Sequence, residues 1–216
     1  MPRFLFDPEV IHKVSSQWIG EPRSQMFDHI IGAISQRYPG LLDETQPWIF
    51  SNAGGAMIQV KFLYASAHEY LMLFGTPIGT EGHSGRNPVA YYDTVLDGEA
   101  WYYSAGQFER TVYKTGDRIV VQRGESAGMH IPDHVWMLEY ARGPLPMLFP
   151  FGLADSLFST LDFKTVASTM KVYLALSTRK LSPTRKALLA LLPLSALALF
   201  SLIRSRRGQN RHSIPI

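Results

Sequence analysis

The sequence has no cysteine among its 216 residues. This absence excludes a disulfide framework, a thiolate zinc site, an iron–sulfur cluster and a cysteine nucleophile. Charged residues are also scarce, at 18% against about 25% in ordinary soluble domains. Hydrophobic residues make up 46%, and the aromatic residues are 12 Phe, 10 Tyr and 4 Trp. The chain therefore has enough hydrophobic and aromatic residues to form a core. This composition excludes disorder of the whole chain.

The last quarter of the sequence lacks acidic residues. All 18 Asp and Glu lie within residues 1–163, together with 11 Lys and Arg, whereas residues 164–216 hold ten Lys and Arg and no acid. A body of net charge −7 followed by a segment of +10 indicates an anionic partner at the C-terminal end. We expect membrane lipids rather than nucleic acid, because the body has no patch of interleaved basic and aromatic residues.

A hydrophobic run of 17 residues without a charge, 187–203, lies in the C-terminal tail, 181–216. Its length is at the short end of what crosses a bilayer core, and Pro193 at its centre would kink a helix. Basic residues flank the run on both sides and suit anionic headgroups. We predict a membrane anchor here, with a buried core helix or an interfacial helix as the alternative. No signal peptide is evident at the N-terminus.

Residues 1–50 are predicted to be an N-terminal helical segment. Phe27, Ile30 and Ile34 recur at three- and four-residue spacing, which indicates a helix over residues 7–37. From residue 51 to residue 151 the pattern changes to short β-type runs separated by Gly and Pro. Many short strands at close spacing predict a small barrel or sandwich. The expected strands are 57–64, 69–74, 90–96, 108–114, 118–123 and 134–140.

Residues 152–180 return to a helical pattern. Residues 159–162 read Ser-Thr-Leu-Asp, which resembles a capping box at the start of a helix that continues to about residue 176. Lys164 and Lys171 add positive charge to a helix with one apolar side, a combination typical of a membrane surface. The chain is therefore expected to be mainly β with flanking helices: an N-terminal helix, membrane-facing C-terminal helices and a hydrophobic tail.

Two acidic residues interrupt apolar strands. In the segment 134–140, alternation places Met137 and Glu139 on one face and Trp136 on the other, and both faces are apolar. Asp93 lies among aromatic residues in another segment. Two carboxyls in one apolar cavity tend to share a proton, because the first ionisation opposes the second. From the pattern alone, the simpler interpretation is that each acid pairs with a nearby Arg or caps a turn.

Other motifs carry less information. Residues 79–86 (GTEGHSGR) are glycine-rich but match neither a Walker loop nor a dinucleotide fingerprint, so a tight turn is the simpler interpretation. His130, His134 and Glu125 are metal-ligand types, but the Pro-Asp pair between the histidines indicates a turn. A serine nucleophile next to His83 is disfavoured, because adjacent residues in a strand point apart. We predict neither a metal nor a cofactor.

A series of short motifs runs in order through roughly residues 5–175: 52–57 (NAGGAM), 65–66 (AS), 69–70 (EY), 73–76 (LFGT), 79–86 (GTEGHSGR), 139–140 (EY), 148–152 (LFPFG) and 154–163 (ADSLFSTLDF). This series resembles the fungal C-8 sterol isomerase and sigma-1 receptor family. The resemblance implies a cupin-like β-barrel over a ligand cavity, with C-terminal helices lying on the membrane at the barrel mouth. It also implies homo-oligomers, typically trimers, at the endoplasmic reticulum membrane.

The resemblance also implies roles for single residues. Glu139 takes the position of the family's central buried glutamate, which meets the basic nitrogen of amine ligands, and Asp93 that of its hydrogen-bonded partner. Tyr70 falls on a pocket-lining aromatic position, and Glu69 on an acid tied into the hydrogen bonds of the barrel. The other candidates for the ligand-binding wall are His83, Tyr91, Trp136 and Met137.

Two functions follow from the resemblance. A sterol isomerase that moves a ring double bond from position 8 to position 7 must add one proton and remove another, with a carbocation between the two steps. One protonated and one ionised carboxyl in a dry cavity supply an acid, a base and negative charge. The alternative is a non-catalytic membrane protein of the sigma-receptor type that binds sterols or cationic amphiphilic amines. Asp93 and Arg86 are receptor-like, whereas Glu81 and residues 148–152 are isomerase-like.

Overall fold

Antiparallel strands form most of the chain. A computed structural model describes residues 4–179. The strands are β1 (Ile49–Ala53), β2 (Ala56–Ala65), β3 (Glu69–Thr76), β4 (Thr80–His83), β5 (Ala90–Tyr103), β6 (Thr111–Lys114), β7 (Arg118–Val121), β8 (Gly128–Ile131) and β9 (Val135–Arg142). They pair in the order β1-β2-β3-β9-β5-β8-β4, and β6 and β7 pair with β5 beside this path. The mainly β character that the sequence predicts is therefore confirmed.

The sheet curls into a nearly closed barrel because its two ends approach each other. The N–H of His83 in β4 donates to the carbonyl oxygen of Gly54, in the turn between β1 and β2, at 2.8 Å. The N–H of Met57 in β2 donates to Thr80 Oγ1 in β4 at 3.0 Å. Gly54 has a φ of +61°, and a Cβ atom there would lie 2.2 Å from the His83 carbonyl oxygen. Glycine is therefore required where the ends of the sheet meet.

The long strand β5 pairs with four other strands of the barrel. Its N-terminal half pairs with β9 and β7, and its C-terminal half pairs with β6 and β8. A register shift between Val95 and Asp97 marks a β-bulge in the pairing with β9. A bulge bends a strand and increases its twist. Consequently Asp93 and Tyr102, which lie on opposite sides of the bulge, both face the interior of the barrel.

Alternate residues of the sheet belong to two separate hydrophobic cores. On β3, Met72 and Phe74 belong to the core inside the barrel, whereas Leu71 and Leu73 belong to the core outside it. The outer core is completed by buried side chains of the two N-terminal helices, among them Ile30. Because both faces are covered, β3 and β9 read as continuous apolar runs.

Two helices form where the sequence predicts one helix over residues 7–37. They are α1 (Pro8–Ser16) and α2 (Arg23–Arg37). The Asp7 side chain accepts the N–H of Glu9 at 2.9 Å, which caps α1. Gly20, with a φ of +97°, and Pro22 lie between the helices and interrupt the repeat.

The C-terminal part begins with a short 3-10 helix, Leu145–Leu148, and continues as α3 (Phe149–Phe158) and α4 (Phe163–Thr178). The capping box expected at residues 159–162 is wrong in detail, since Asp162 caps α4 by accepting the N–H of Thr165 at 3.0 Å. Asp155 Oδ2 in α3 accepts the N–H of Gly55 at 2.8 Å and ties this part to the β1–β2 turn.

Within residues 4–179, no helix combines the length and the apolar character that a membrane crossing needs. The predicted anchor at residues 187–203 lies outside the described residues. The chain divides into two units, Met1–Ser177 and Thr178–Ile216, and all the strands and helices named above lie in the first unit except the last residue of α4.

The strands that the sequence predicts all exist, with different bounds. The segment 108–114 forms a strand only from Thr111, and Phe108 is fully exposed. Three strands were not expected: β1, β4 and β8. β4 lies inside the segment 79–86, where a tight turn is the simpler sequence interpretation. Its pairing with β8 supplies hydrogen bonds that local periodicity does not reveal.

Candidate functional site

A cavity of about 220 Å³ lies inside the barrel. Strands β2, β3, β5 and β9 form its inner wall, and α3 and α4 contribute Phe149, Phe151 and Tyr173. Tyr173 Oη donates to the carbonyl oxygen of Ser66 at 3.1 Å, which holds α4 against the barrel. Most of the lining is apolar or aromatic, as is usual for small-molecule sites.

Glu139 projects into this cavity from the centre of β9. Its neighbours across the sheet are Met72 on β3 and Asp93 on β5. Glu139 is only 9% exposed, and Tyr70 Oη donates to Glu139 Oε1 at 2.5 Å. A carboxylate in such surroundings is costly to ionise unless hydrogen bonds or charges compensate it.

Asp93 lies directly opposite Glu139 and is 3% exposed. The two carboxyls interact through a side-chain hydrogen bond, which one of them must donate as the protonated acid. Asp93 Oδ1 is buried and has no hydrogen-bond partner among the described residues. Asp93 therefore keeps an uncompensated polar atom in a buried position.

The surrounding protein raises the pKa of both carboxyls. Burial raises the pKa of Glu139 to about 7, although hydrogen bonds from Tyr70 and Asp93 act in the opposite direction. Burial, the charge of Glu139 and the shared hydrogen bond raise the pKa of Asp93 well above its ordinary value. Near neutral pH the acid pair consequently holds at least one proton, and Glu139 is the member that ionises with the help of donors.

Aromatic side chains surround the acid pair. Phe62 packs edge-on against Tyr70, with ring centroids 5.9 Å apart. Tyr91 Oη accepts a hydrogen bond from Asn87 Nδ2 at 3.0 Å, and Tyr102 Oη contacts Met129 Sδ at 3.1 Å. Burial, followed by the charge of the acid pair, raises the pKa of Tyr102 well above its ordinary value. The phenols therefore act as neutral hydrogen-bond donors throughout the physiological range.

Known proteins are similar to this chain over most of its length. The profile of the family described as "ERG2 and Sigma1 receptor like protein" matches residues 1–183. The chain belongs to this family. It is 39% identical over 173 residues to "Sigma non-opioid intracellular receptor 1" of Danio rerio, covering 79% of this chain and 78% of that protein. It is 40% identical over 173 residues to "C-8 sterol isomerase erg2" of Aspergillus fumigatus, covering 78% and 72% respectively.

Solved structures of cupins are also similar to this member of the ERG2 and sigma-1 receptor family. An RmlC-like cupin from Shewanella frigidimarina matches with a TM-score of 0.39 and 19% identity, covering 47% of this chain and 86% of that chain. The family thus includes both isomerases and receptors, and membership alone does not choose between them.

The structure brings together five of the eight residues that the sequence points to. Glu139, Asp93, Tyr70 and Tyr91 line the cavity around the acid pair, and His83 lines it from an exposed position at the end of β4. His83 Nδ1 accepts the N–H of Gly85 at 2.9 Å. The acid pair is therefore the polar centre of an otherwise apolar cavity.

Three expected wall residues lie elsewhere. Trp136 is on the outer face of β9, where it packs against Phe27 and Trp48 and where Arg23 lies 5.2 Å from its ring centroid. Met137 is on the inner face but is covered within the core and does not line the cavity. Placing Trp136 and Met137 together in one wall contradicts strand alternation, because adjacent residues face opposite sides.

Glu69 also lies outside the cavity, on the outer face of β3. Its carboxylate accepts the N–H of Leu5 at 2.9 Å and the hydroxyl of Tyr140 at 2.7 Å. Arg142 completes this cluster by donating to Tyr140 Oη at 2.9 Å and to the carbonyl oxygen of Phe6 at 2.7 Å. Glu69 is therefore tied into the hydrogen bonds of the barrel, as the resemblance implies, but its place among the ligand-binding residues is corrected, because it fastens the N-terminal segment.

The weaker sequence motifs do not form a metal or nucleophile site. His130 pairs with Glu81 at 3.5 Å, whereas His134 pairs with Asp133 at 2.7 Å. Within residues 4–179 no group of three His, Asp or Glu side chains is arranged to hold a metal ion. Ser84 Oγ accepts the N–H of Ala127 at 2.9 Å, so its hydroxyl links the segment after β4 to the segment before β8.

Sequence reasoning missed several members of the site. Tyr102 lies beyond the bulge of β5, and the bulge is not evident from local alternation. Phe149 and Phe151 belong to the LFPFG motif, which resembles the family but has no strand pattern that would assign it to a cavity. Asn87 is followed by Pro88, and an Asn-Pro pair indicates only a turn.

Proposed function

We propose that this protein is a C-8 sterol isomerase that moves a ring double bond from position 8 to position 7. The observation that carries the proposal is the buried Asp93–Glu139 pair, which lines a mainly apolar cavity and holds a proton near neutral pH. The 40% identity to a C-8 sterol isomerase supports the same conclusion.

The acid pair has the groups that the reaction needs. One carboxyl transfers its proton to a carbon of the ring double bond, so that a C–H bond forms and a tertiary carbocation is left at position 8. A carboxylate then removes a proton from the carbon at position 7, and the electrons of that C–H bond form the new double bond. One proton is added and one is removed, so the acid pair returns to its starting state.

The surroundings stabilise the intermediate charge. After the first transfer both carboxyls are ionised, and the carbocation lies close to two negative charges in a site that excludes water. The Tyr70 hydroxyl, which donates to Glu139, lowers the energy of this state. Aromatic faces, such as that of Phe62, also attract a cation.

Membrane attachment is the second part of the proposal. Large apolar side chains are exposed on the C-terminal helices and the loops beside them: Met147, Phe158, Leu161, Phe163 and Leu174. Lys164 and Lys171 add positive charge on α4, which suits anionic lipids. We propose that these helices lie on the endoplasmic reticulum membrane, that the sterol enters from the lipid, and that the protein works as a homo-oligomer, typically a trimer.

A non-catalytic binding protein is the second candidate. An acid pair that carries negative charge among Tyr70, Tyr91 and Tyr102 also suits the basic nitrogen of a cationic amphiphilic amine. The 39% identity to a sigma receptor favours this function as directly as the isomerase relative favours catalysis. Amine binding cannot distinguish the candidates, because both use the same cavity.

Catalytic turnover distinguishes the isomerase from the binding protein. The full chain is expressed in yeast that lacks its own C-8 sterol isomerase, and the sterols are identified by gas chromatography and mass spectrometry. We expect 7-unsaturated sterols with the unmodified chain and with the control Glu109→Gln, whose carboxyl is exposed. Glu139→Gln should lose turnover by at least about 10²-fold, the lower range for a general acid–base group. Persistent 8-unsaturated sterols with membrane-bound, amine-binding protein would instead support the receptor function.

A further inference from the structure

An aromatic ring lies against the place where the two ends of the sheet meet. We call this contact between the β1–β2 turn and β4 the seam. Phe151 of α3 lines the cavity, and a Cβ atom added at Gly54 would lie 3.0 Å from its Cε2 atom. A Cβ atom added at Gly85, just after β4, would lie 2.9 Å from its Cδ2 and Cε2 atoms. The same edge of the ring therefore rests against both glycines, which leave room for it.

A second contact from α3 holds the ring in this place. Asp155 lies four residues after Phe151, so both side chains project from the same face of the helix. Its Oδ2 atom accepts the N–H of Gly55 at 2.8 Å, in the turn between β1 and β2. Phe151 is therefore held at the seam by its own packing and by a hydrogen bond one helical turn further along.

The seam lies across the barrel from the acid pair. In the strand order β1-β2-β3-β9-β5-β8-β4, β9 is the middle strand, and the two ends of the order meet at the seam. Glu139 on β9 and Phe151 at the seam both line the cavity, and this order places them on opposite sides of it. A molecule whose polar end lies at the acid pair consequently meets the Phe151 ring when it extends toward the seam.

We propose that Phe151 is a specificity-determining residue that limits the length of the apolar part of a bound molecule. This inference rests on the proposed function in one respect, since it takes the acid pair to hold the polar or reacting end of that molecule. A longer apolar part must displace the ring from the two glycines and strain the bond between Asp155 and Gly55. Its additional methylene groups therefore gain no favourable burial.

Binding of N,N-dimethylalkylamines with tails of six to fourteen carbons to the purified full chain measures this limit. At pH 8 Glu139 is ionised, since burial raises its pKa only to about 7, and it can meet the cationic head. Affinity should rise about fourfold with each methylene group, because burial of one contributes about 0.8 kcal/mol. The rise should stop at the tail length that reaches Phe151. Phe151→Ala should move this break to a longer tail by at least one methylene group, with Phe151→Leu between the two.

Two further variants establish where the head and the tail lie. Phe158→Ala is the matched control, because it deletes the same ring from the same helix at a side chain that is 83% exposed, and it should leave the break unchanged. Glu139→Gln should weaken every amine by about tenfold or more, since a hydrogen bond to a charged group contributes about 1.5–3 kcal/mol. Its break should also stay at the same tail length.

Thermal unfolding tests the contact at the seam independently. Gly85→Ala places a Cβ atom against the ring, so it should lower the melting temperature of the unmodified chain more than that of Phe151→Ala. The strain of an alanine at a φ of +74° is present in both backgrounds and cancels from the comparison. If Phe151→Ala does not fold, Phe151→Leu keeps an apolar side chain at the seam and still tests the length limit.

The inference and the proposed function fail in different ways. An unmoved break in the Phe151 variants would overturn the inference, as would an equal move in Phe158→Ala, equal losses from Gly85→Ala in the two backgrounds, or an unmodified chain that binds none of the amines. A moved break in a protein without turnover retains the inference and rejects catalysis. An unmoved break in an active isomerase rejects the inference and retains catalysis.

Discussion

Two buried glutamates on neighbouring strands of this sheet face opposite sides of it. Glu69 is on the outer face of β3 at 3% exposure, and Glu139 is on the inner face of β9 at 9%. Glu69 accepts from the backbone N–H groups of Leu5 and Phe6 and from Tyr140, and Arg142 lies in the same cluster. Glu139 has one phenolic donor, Tyr70, and a second carboxyl as its neighbour.

The difference shows what separates a carboxylate that fastens the fold from the one that we propose for proton transfer. Glu69 accepts two backbone N–H groups and the Tyr140 hydroxyl, and the Arg142 guanidinium lies in the same cluster. Burial raises the pKa of Glu139 to about 7, although hydrogen bonds with Tyr70 and Asp93 act in the opposite direction. Burial alone therefore does not identify a functional acid. The hydrogen-bond donors and charged groups around the carboxyl distinguish the two sites.

The largest expected effect on stability comes from Glu69→Gln. The amide places an NH₂ donor against N–H and O–H donors and removes the charge that faces Arg142, so the free energy of unfolding should fall by about 3 kcal/mol. Denaturant unfolding of the purified chain measures this change. Glu139→Gln is the matched control, because its amide oxygen can still accept from Tyr70 and its NH₂ can donate to Asp93. Equal losses in the two variants would contradict the comparison.

The pH dependence of stability should depend on the ionisation of Glu139. The pKa of Glu139 is raised from 4.5 to about 7 in the folded state, so the folded protein binds more protons than the unfolded chain within that window. Its contribution to stability is therefore full below about pH 4.5 and is lost as the pH rises to about 7. The loss is on the order of 3 kcal/mol, because a pKa difference of one corresponds to about 1.4 kcal/mol. The raised pKa of Asp93 adds a loss of the same sign.

Unfolding curves from pH 5 to pH 8 measure this slope. Glu139→Gln should flatten it and should be more stable than the unmodified chain at pH 8, because no buried charge then forms at that position and the charge that raises the pKa of Asp93 is gone. A slope that remains unchanged in this variant would show that other groups cause it.

Part of this arrangement is predictable from the sequence, and the predictable part is local. Alternation in the segment 134–140 places Glu139 on one face and Tyr140 on the other, and the structure confirms both positions. The proximity of Asp93 was available only from the family resemblance, since strand pairing joins residues 46 positions apart. The bulge of β5 depends on its nonlocal pairing with β9, so no pattern in one strand reveals it.

The smallest expected effect comes from removing one phenolic hydroxyl on each side of the sheet. Tyr70→Phe deletes the donor to Glu139, which favours the protonated carboxyl, so the midpoint of its titration should rise by about one pH unit. If the chain is an isomerase, its pH–rate profile should move in the same direction.

Tyr140→Phe makes the corresponding change beside Glu69. It removes the bond to Glu69 Oε2 and the acceptor for Arg142 Nε, so it should lower the unfolding free energy by about 1–2 kcal/mol. The titration of Glu139 should not respond, because Tyr140 lies on the opposite face of the same strand. Removal of one tyrosine hydroxyl would then change the pKa of Glu139 on the inner face and the free energy of unfolding on the outer face. If Tyr140→Phe moved the titration as far as Tyr70→Phe does, the two faces would be coupled through the strand, and the division between a structural and a reactive glutamate would not hold.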